Sequence, residues 1–161
     1  GGVAPTLRSG PLRRAVVYNS AGYWGVNITG LRVSSTLLPG GDAEIAVAGA
    51  GIPAAPHNIF DSGTSTLLFP ASVYNATVAA MGDMCRRLAA ADRWPGICDG
   101  SVWEQGYFQA PPASLATMPS LTLRLQAAPG QGAADVALEI PATKWLMPSA
   151  SGHDYWLREL N

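Results

Sequence analysis

Residues 59–66 of the chain read IFDSGTST, and this stretch decides how the rest of the sequence is interpreted. Two apolar residues lead into a short polar turn, and residues 67–69 are apolar again. Gly63 lets the backbone turn sharply without a Cβ clash. In such a turn the Asp61 carboxylate can accept hydrogen bonds from the Gly63 amide and the Thr64 hydroxyl, which orient it and favour its charged form. The Ser62 hydroxyl stays free to bond to whatever packs opposite.

The same residues also suit an ordinary Asx turn between two strands, because Asp, Ser and Gly are common turn residues. Taken alone, the turn does not distinguish a structural carboxylate from a catalytic one. The sequence on both sides of the turn is needed to choose between them.

The flanking sequence predicts a β-rich domain with one main helix. Residues 23–33 alternate between apolar and polar or small side chains, which predicts one half-buried strand with Asn27 on its solvent side. Residues 43–47 read as a short strand, and residues 121–126 and 136–140 as a hairpin-like pair. Pro70 suits the first turn of a helix, and helical spacing predicts that helix over residues 70–91 with Asn75 exposed. Residues 92–118 contain prolines and glycines that predict irregular structure.

Composition narrows the classes of function. A chain of 161 residues with a net charge of -1 fits one domain, and it lacks the excess of Lys and Arg that nucleic acid or anionic lipid requires. No apolar run reaches the roughly 18–20 residues that span a bilayer, so we expect no membrane contact from this segment. His57 and His153 lack metal-ligand spacing, so no metal or cofactor is expected. Ser62 and Ser65 lie outside any Gly-x-Ser-x-Gly motif, which argues against a serine hydrolase.

The two cysteines, Cys85 and Cys98, fit one bridge, two free thiols or bonds to cysteines outside this chain. Two tripeptides match the N-glycosylation sequon, at Asn27 and at Asn75. Both asparagines fall on the predicted solvent side of their elements. They favour a secretory route, with an extracellular, vacuolar or lysosomal destination and any signal segment outside this chain.

Several stretches, in order along the chain, resemble the C-terminal lobe of the pepsin-like aspartic peptidases. Residues 59–66 resemble the second active-site loop of that family, and residues 23–33 resemble the strand that opens the lobe. Residues 70–74 resemble the helix after the loop, while 118–123 and 140–142 resemble later strands. The similarity covers roughly residues 11–147 and is nearer the memapsin and nepenthesin branches than gastric pepsin.

The resemblance implies a mostly β fold: one lobe, β-barrel-like with one main helix, of the bilobal acid protease fold. It divides the chain into a linker and first segment (1–22), the aspartic peptidase lobe (23–147) and a tail leading toward missing final strands (148–161). Asp61 is then the second catalytic aspartate. Ser62 takes the interlobe hydrogen-bond position and Thr64 orients the carboxylate, while Gly63, Ser65 and Thr66 line the substrate cleft.

The implied activity is aspartic endopeptidase cleavage of peptide or protein substrates by an Asp-activated water, without a cofactor. The chain lacks a second Asp-Thr/Ser-Gly motif, a flap with its tyrosine and the N-terminal lobe. We therefore expect the chain to be inactive alone and to need that missing lobe of the same polypeptide as its partner. Two alternatives stay open: a catalytically silent pepsin-like binding or inhibitor protein, and a homodimeric peptidase with one Asp per chain.

Overall fold

The computed structural model describes residues 12–20, 23–47, 58–60, 67–132, 135–148 and 154–157. Short strands, one long helix and several short helices form this part of the chain. The strands are β1 (Tyr18–Ser20), β2 (Tyr23–Val26), β3 (Ile28–Ser34), β4 (Ala43–Ile45), β5 (Asn58–Phe60), β6 (Tyr107–Gln109), β7 (Ser120–Gln126), β8 (Asp135–Ile140), β9 (Leu146–Pro148) and β10 (Asp154–Leu157). The α-helices are α1 (Ala71–Arg87), α2 (Ser101–Gln105) and α3 (Ala142–Trp145).

The described strands form three antiparallel sheets. Their orders are β1-β2-β5, β4-β3-β7-β8 and β6-β10-β9. The predicted pairing of residues 121–126 with 136–140 is confirmed, because β7 and β8 are antiparallel neighbours with Leu123 opposite Leu138. Antiparallel β-structure with one main helix is therefore confirmed, although short helices make the described part mixed rather than mostly β.

The core lies between the four-stranded sheet and α1. In the two central strands, Leu31 lies opposite Leu123 and Val33 opposite Leu121, and all four side chains are buried. Helix α1 contacts β3 and β4 and buries one stripe of side chains, at Val73, Thr77, Met81, Met84 and Cys85. Each large apolar side chain that leaves water in this way contributes roughly 1.5–3 kcal/mol.

Helix α1 begins directly after Pro70 and ends earlier than its sequence predicts. The Pro70 carbonyl accepts hydrogen bonds from the backbone N–H groups of Val73 and Tyr74 at 2.9 and 3.0 Å. The helix ends at Arg87 rather than at residue 91, because Leu88 is extended and begins the turn that leads to Cys98. Cys85 and Cys98 form a disulfide, with 5.3 Å between their Cα atoms. Of the three states that the sequence leaves open, the structure has the intrachain bridge.

The prediction of one strand over residues 23–33 is wrong in detail. The chain leaves one sheet and joins another at Asn27, since β2 pairs with β1 and β5 whereas β3 pairs with β4 and β7. The side chains do not keep one alternation through residues 23–33. Within β2, Val26 is buried whereas Trp24, two residues earlier, is 65% exposed. The buried apolar side chains of β3 include Leu31 and Val33, at odd-numbered positions, whereas Val26 is at an even-numbered one. The periodicity of the sequence correctly indicates that both β2 and β3 are strands. It does not indicate that the two strands pair with different partners.

Residues 92–118 are also more regular than their sequence predicts. They contain α2, β6 and a short 3-10 turn at Pro112–Ala116, and a second 3-10 turn at Ala90–Asp92 leads into them. Strand β6 pairs with β10, about fifty residues further along the chain, with Phe108 opposite Tyr155. Prolines and glycines correctly indicate turns in this segment. Strand β6 is only three residues long and its partner is distant, so the local sequence has no pattern that predicts it.

Gly30 has a role that depends on its missing side chain. Arg124 of β7 reaches across β3 at this position and pairs with Glu44 of β4, with 2.6 Å between Nη2 and Oε2. A Cβ atom at residue 30 would lie 2.5 Å from the Arg124 Nε. The glycine therefore leaves space for an ion pair that joins the two strands flanking β3.

Candidate active site

The six residues of the predicted catalytic loop, Asp61, Ser62, Gly63, Thr64, Ser65 and Thr66, lie outside the described residues. The structure does describe the chain on both sides of the loop. Strand β5 leads into it, and residues 67–70 lead out of it to α1. The geometry of these two flanks determines where the loop begins and ends.

Strand β5 is held against β2 by an antiparallel register. Phe60 lies opposite Trp24, Ile59 opposite Gly25, and Asn58 opposite Val26. The Asn58 side-chain amide also donates to the Val26 carbonyl at 3.4 Å. Because Phe60 immediately precedes Asp61, the loop starts beside the first residues of β2.

The other end of the loop is fixed by the hydrophobic core. Phe69 is buried, Leu67 is half-buried, and Pro70 opens α1 with the two backbone hydrogen bonds described above. Leu68, between the two, is 62% exposed. The described chain is therefore held in the fold on both sides of the loop, by β5 before it and by Phe69 and α1 after it.

The residues around the loop expose an apolar surface. Trp24 is 65% and Phe60 40% exposed; we call these two side chains the β2/β5 apolar surface. Ile59, which is 45% exposed, lies on the other face of β5, because successive strand residues alternate between faces. Directly opposite residues of an antiparallel pair share a face, so Trp24 and Phe60 lie side by side. In the described sheet β5 is an edge strand.

The two flanks contribute no formal charge, since residues 23–27, 58–60 and 67–70 contain no Asp, Glu, Lys, Arg or His. A carboxylate in the loop therefore has no counter-ion in either flank. Any group that shares a proton with Asp61 has to come from another part of the chain or from another molecule.

The other aspartates lie outside the Asp-Ser-Gly-Thr motif, and most of those described have local roles. Asp42 lies 3.4 Å from Arg32, and Asp83 pairs with Arg86 one turn along α1. Asp92 is exposed. Asp135 is half-buried and accepts a hydrogen bond from Thr29 at 2.8 Å. The side chain of Asp154 lies outside the described residues.

Asp99 is a carboxyl group whose pKa lies below its usual value. The Ser101 backbone N–H, at 2.9 Å, is the main cause that holds the pKa of Asp99 below its usual value. The Ser101 hydroxyl at 2.7 Å and the Gly96 amide at 3.3 Å act in the same direction, while partial burial opposes them. These bonds fix the turn before α2, so the shift reflects a structural role.

The structure places the two predicted glycosylation sites in different surroundings. Asn75 is exposed on α1, whereas Asn27 is half-buried at the junction of β2 and β3. The expectation that Asn27 lies on the solvent side is therefore only partly met. The Asn27 side chain takes part in a hydrogen-bond network. The sequence does not indicate this, because it does not show that Asn27 lies between two sheets.

Two aromatic residues of the segment 92–118, Trp94 and Trp103, pack against other side chains. Trp94 is buried in the core, and Trp103 packs edge-on against Tyr74 with 6.3 Å between ring centroids. Sequence reasoning missed a surface groove that residues 91–95 and 113–117 line together. Its two sides are about twenty residues apart in the sequence, and no local pattern marks it.

No metal centre is found in the described ranges, where no three His, Cys, Asp or Glu side chains come together. His57 and His153 fall in the parts of the chain outside those ranges. None of the helices described above is long and apolar enough to cross a bilayer. No known protein-family profile matches the sequence. No curated protein matches it significantly.

Proposed function

We propose that this chain forms most of the C-terminal lobe of an aspartic endopeptidase, in which Asp61 is one of two catalytic carboxylates. The observation that carries the proposal is the pairing of β2 with β5. Residues 23–33 and 59–66 resemble the opening strand and the active-site loop of the pepsin-like lobe. The two stretches are distant in sequence, yet their described parts are direct neighbours, with Trp24 opposite Phe60.

The order of elements around the loop gives further support. Strand β5 leads into the Asp-Ser-Gly-Thr sequence, and α1 begins at Ala71, five residues after Thr66. The two anchored flanks can hold a turn in which the Gly63 amide and Thr64 hydroxyl orient the Asp61 carboxylate. In this assignment Ser62 bonds across to the other lobe, and Ser65 and Thr66 line the cleft.

Peptide hydrolysis at such a site is general acid–base catalysis. Two carboxylates held close together cannot both ionise cheaply, so they share one proton. The ionised carboxylate removes a proton from a water molecule, which attacks the scissile carbonyl carbon, while the protonated one donates its proton to the carbonyl oxygen. No covalent intermediate with the protein is formed.

The second carboxylate has to come from the N-terminal lobe of the same polypeptide, which we propose packs against the β2/β5 apolar surface. The uncharged flanks and the exposed Trp24 and Phe60 are consistent with a face that another body covers. The substrate is a peptide or protein. The disulfide and the exposed Asn75 favour a secretory location for the full protein.

The test is cleavage of a peptide library at acid pH by the full-length protein, with pepstatin as inhibitor. Asp61→Asn should lower kcat/KM by at least about 10²–10⁴-fold, the usual contribution of a general acid or base, and leave the melting temperature nearly unchanged. Asp92→Asn is a matched control, because it makes the same change at an exposed carboxylate and should leave activity intact.

Three outcomes would contradict the proposal in different ways. A full-length protein that folds but cleaves nothing would point to a silent binding protein. Activity that survives Asp61→Asn would remove Asp61 from the mechanism. Pepstatin-sensitive activity in a dimer of the 161-residue chain would indicate a homodimeric peptidase with one Asp per chain.

A further inference from the structure

The two sequons of the chain are equivalent by sequence but differ in the folded protein. Asn27-Ile28-Thr29 lies at the junction between two sheets, and Asn75-Ala76-Thr77 lies within α1. An N-linked glycan needs an asparagine whose Nδ2 can point into solvent without displacing other groups. The surroundings of each asparagine side chain therefore determine at which site the folded protein can carry a glycan.

Asn75 is surrounded by solvent and small side chains. It is exposed, and the exposed neighbours on its side of α1 include Ala71, Ala76 and Ala79. No charged residue occurs in α1 before Asp83. A bulky glycan at Asn75 therefore displaces neither a large side chain nor an ion pair, and its first sugars can cover alanine surface that is otherwise open to water.

Asn27 has a structural role that conflicts with modification. Its Nδ2 donates to the Gln126 Oε1 at 3.2 Å, and the same oxygen accepts a hydrogen bond from the Tyr18 hydroxyl at 3.0 Å. The Asn27 carbonyl also accepts the Gln126 backbone N–H at 3.0 Å. These bonds join β1, the β2–β3 junction and β7, and a sugar on Nδ2 would have to enter this half-buried network.

The disulfide between Cys85 and Cys98 supplies an independent reason to expect glycosylation. Disulfides form and persist in the oxidising compartments of the secretory pathway, where N-glycosylation also takes place. Cys85 is in the same helix as Asn75, so a single segment carries a marker of that compartment and an open acceptor.

We infer that the folded protein carries an N-linked glycan at Asn75 and none at Asn27. The Thr77 hydroxyl, which completes the sequon, is buried and donates to the Val73 carbonyl at 2.8 Å. Transfer to Asn75 therefore takes place before α1 docks on the core. The inference does not depend on Asp61 or on the proposed peptidase activity.

The first experiment reads total glycosylation. The 161-residue chain is directed into the secretory pathway of a eukaryotic cell by an added leader, and the total protein from cells and medium is treated with an N-glycosidase. Asn75→Gln and Thr77→Val should lose a glycosidase-sensitive mobility shift that the wild-type chain shows. Thr77→Ser keeps the sequon hydroxyl and should keep the shift. A wild-type chain without any shift, or a shift unaffected by Asn75→Gln, would overturn the assignment of Asn75.

The second experiment tests the choice between the sites in folded molecules. The monomeric, protease-resistant fraction is deglycosylated in heavy-oxygen water, which converts each modified asparagine to a mass-labelled aspartate. Label at residue 75 and not at residue 27 is expected, and Asn27→Gln should leave the label at residue 75 unchanged. Label at residue 27 in this fraction, or recovery of such a fraction only after Asn27→Gln, would show that Asn27 is a modified site and would overturn the inference.

Discussion

At the scale of single residues, several described aspartates have a structural role, because hydrogen bonds or ion pairs hold their carboxylates in place. Asp99 accepts two bonds from Ser101 and one from the Gly96 amide, and Asp42 and Asp83 each face an arginine. Each of these groups has a partner within a few residues or in a neighbouring strand. Asp61 itself lies outside the described residues, and the flanks of its loop, residues 58–60 and 67–70, are uncharged.

The lowered pKa of Asp99 predicts a pH dependence of stability. An unfolded Asp titrates near about 3.9, and the folded-state pKa of Asp99 lies lower, mainly because of the Ser101 N–H. The charged carboxylate therefore stabilises the fold above the unfolded value, and this contribution is lost as the pH falls through the folded-state pKa. Asp99→Asn should lower the melting temperature at neutral pH, and the difference from wild type should shrink below about pH 4.

The prediction can be checked by thermal unfolding of both proteins across the acid range. Asp92→Asn is the appropriate control, because it makes the same substitution at an exposed carboxyl group. A difference between wild type and Asp99→Asn that stays constant down to pH 2 would contradict the role given to Ser101.

At the scale of elements, the disulfide joins the last turn of α1 to the segment before α2. It closes a separation of 13 residues that contains a 3-10 turn and the buried Trp94. The Trp94 backbone N–H also donates to the Cys98 sulfur at 3.2 Å. The bridge therefore holds an otherwise irregular segment against the core.

Removing this bridge should have a large effect on stability. A loop of this length is stabilised by about 3 kcal/mol, largely by restriction of the unfolded chain. The double substitution Cys85→Ala and Cys98→Ala should lower the free energy of unfolding in urea by about 2–4 kcal/mol. Reductant should lower the stability of the wild type by a similar amount and leave the variant unchanged. If the fully reduced wild-type protein had the same free energy of unfolding as the oxidised one, this account would be refuted.

Elements whose partners are close in sequence were the most predictable. The helix over residues 71–87 was anticipated from its apolar spacing and from Pro70, with an error at its C-terminal end. The β7–β8 hairpin follows from two alternating runs separated by a short loop. In both cases a local pattern and the final packing agree, because the same residues that set the periodicity also bury their side chains in the core.

Elements that depend on distant partners were not predictable. The change of sheet at Asn27 requires β5 on one side and β7 on the other, and neither lies near residue 27 in the sequence. The network of Asn27, Gln126 and Tyr18 has the same origin. For the candidate site, the sequence identifies the residues of the loop, and the structure adds which strand lies beside it.

At the scale of the whole molecule, the sheets of the described residues differ in how much of their apolar surface is buried. The four-stranded sheet and α1 bury their facing side chains, whereas the small sheet of β1, β2 and β5 exposes Trp24, Ile59 and Phe60. Large aromatic side chains exposed next to an edge strand favour association with another surface. The isolated chain is therefore expected to self-associate through the face that we propose the missing lobe covers.

Replacing Trp24 and Phe60 together by Gln should weaken this self-association. If association buries part of the two exposed rings, their removal weakens association by on the order of 1–2 kcal/mol. This corresponds to a dissociation constant roughly tenfold higher. Sedimentation velocity over a range of concentrations measures this change. Leu138→Gln is the matched control, because Leu138 is a similarly exposed apolar residue on β8, in a different sheet, and its substitution should leave the dissociation constant unaltered. If both variants weakened association equally, general hydrophobicity and not the β2/β5 apolar surface would be responsible. A wild-type chain that stays monomeric at all concentrations would show that this surface needs no partner.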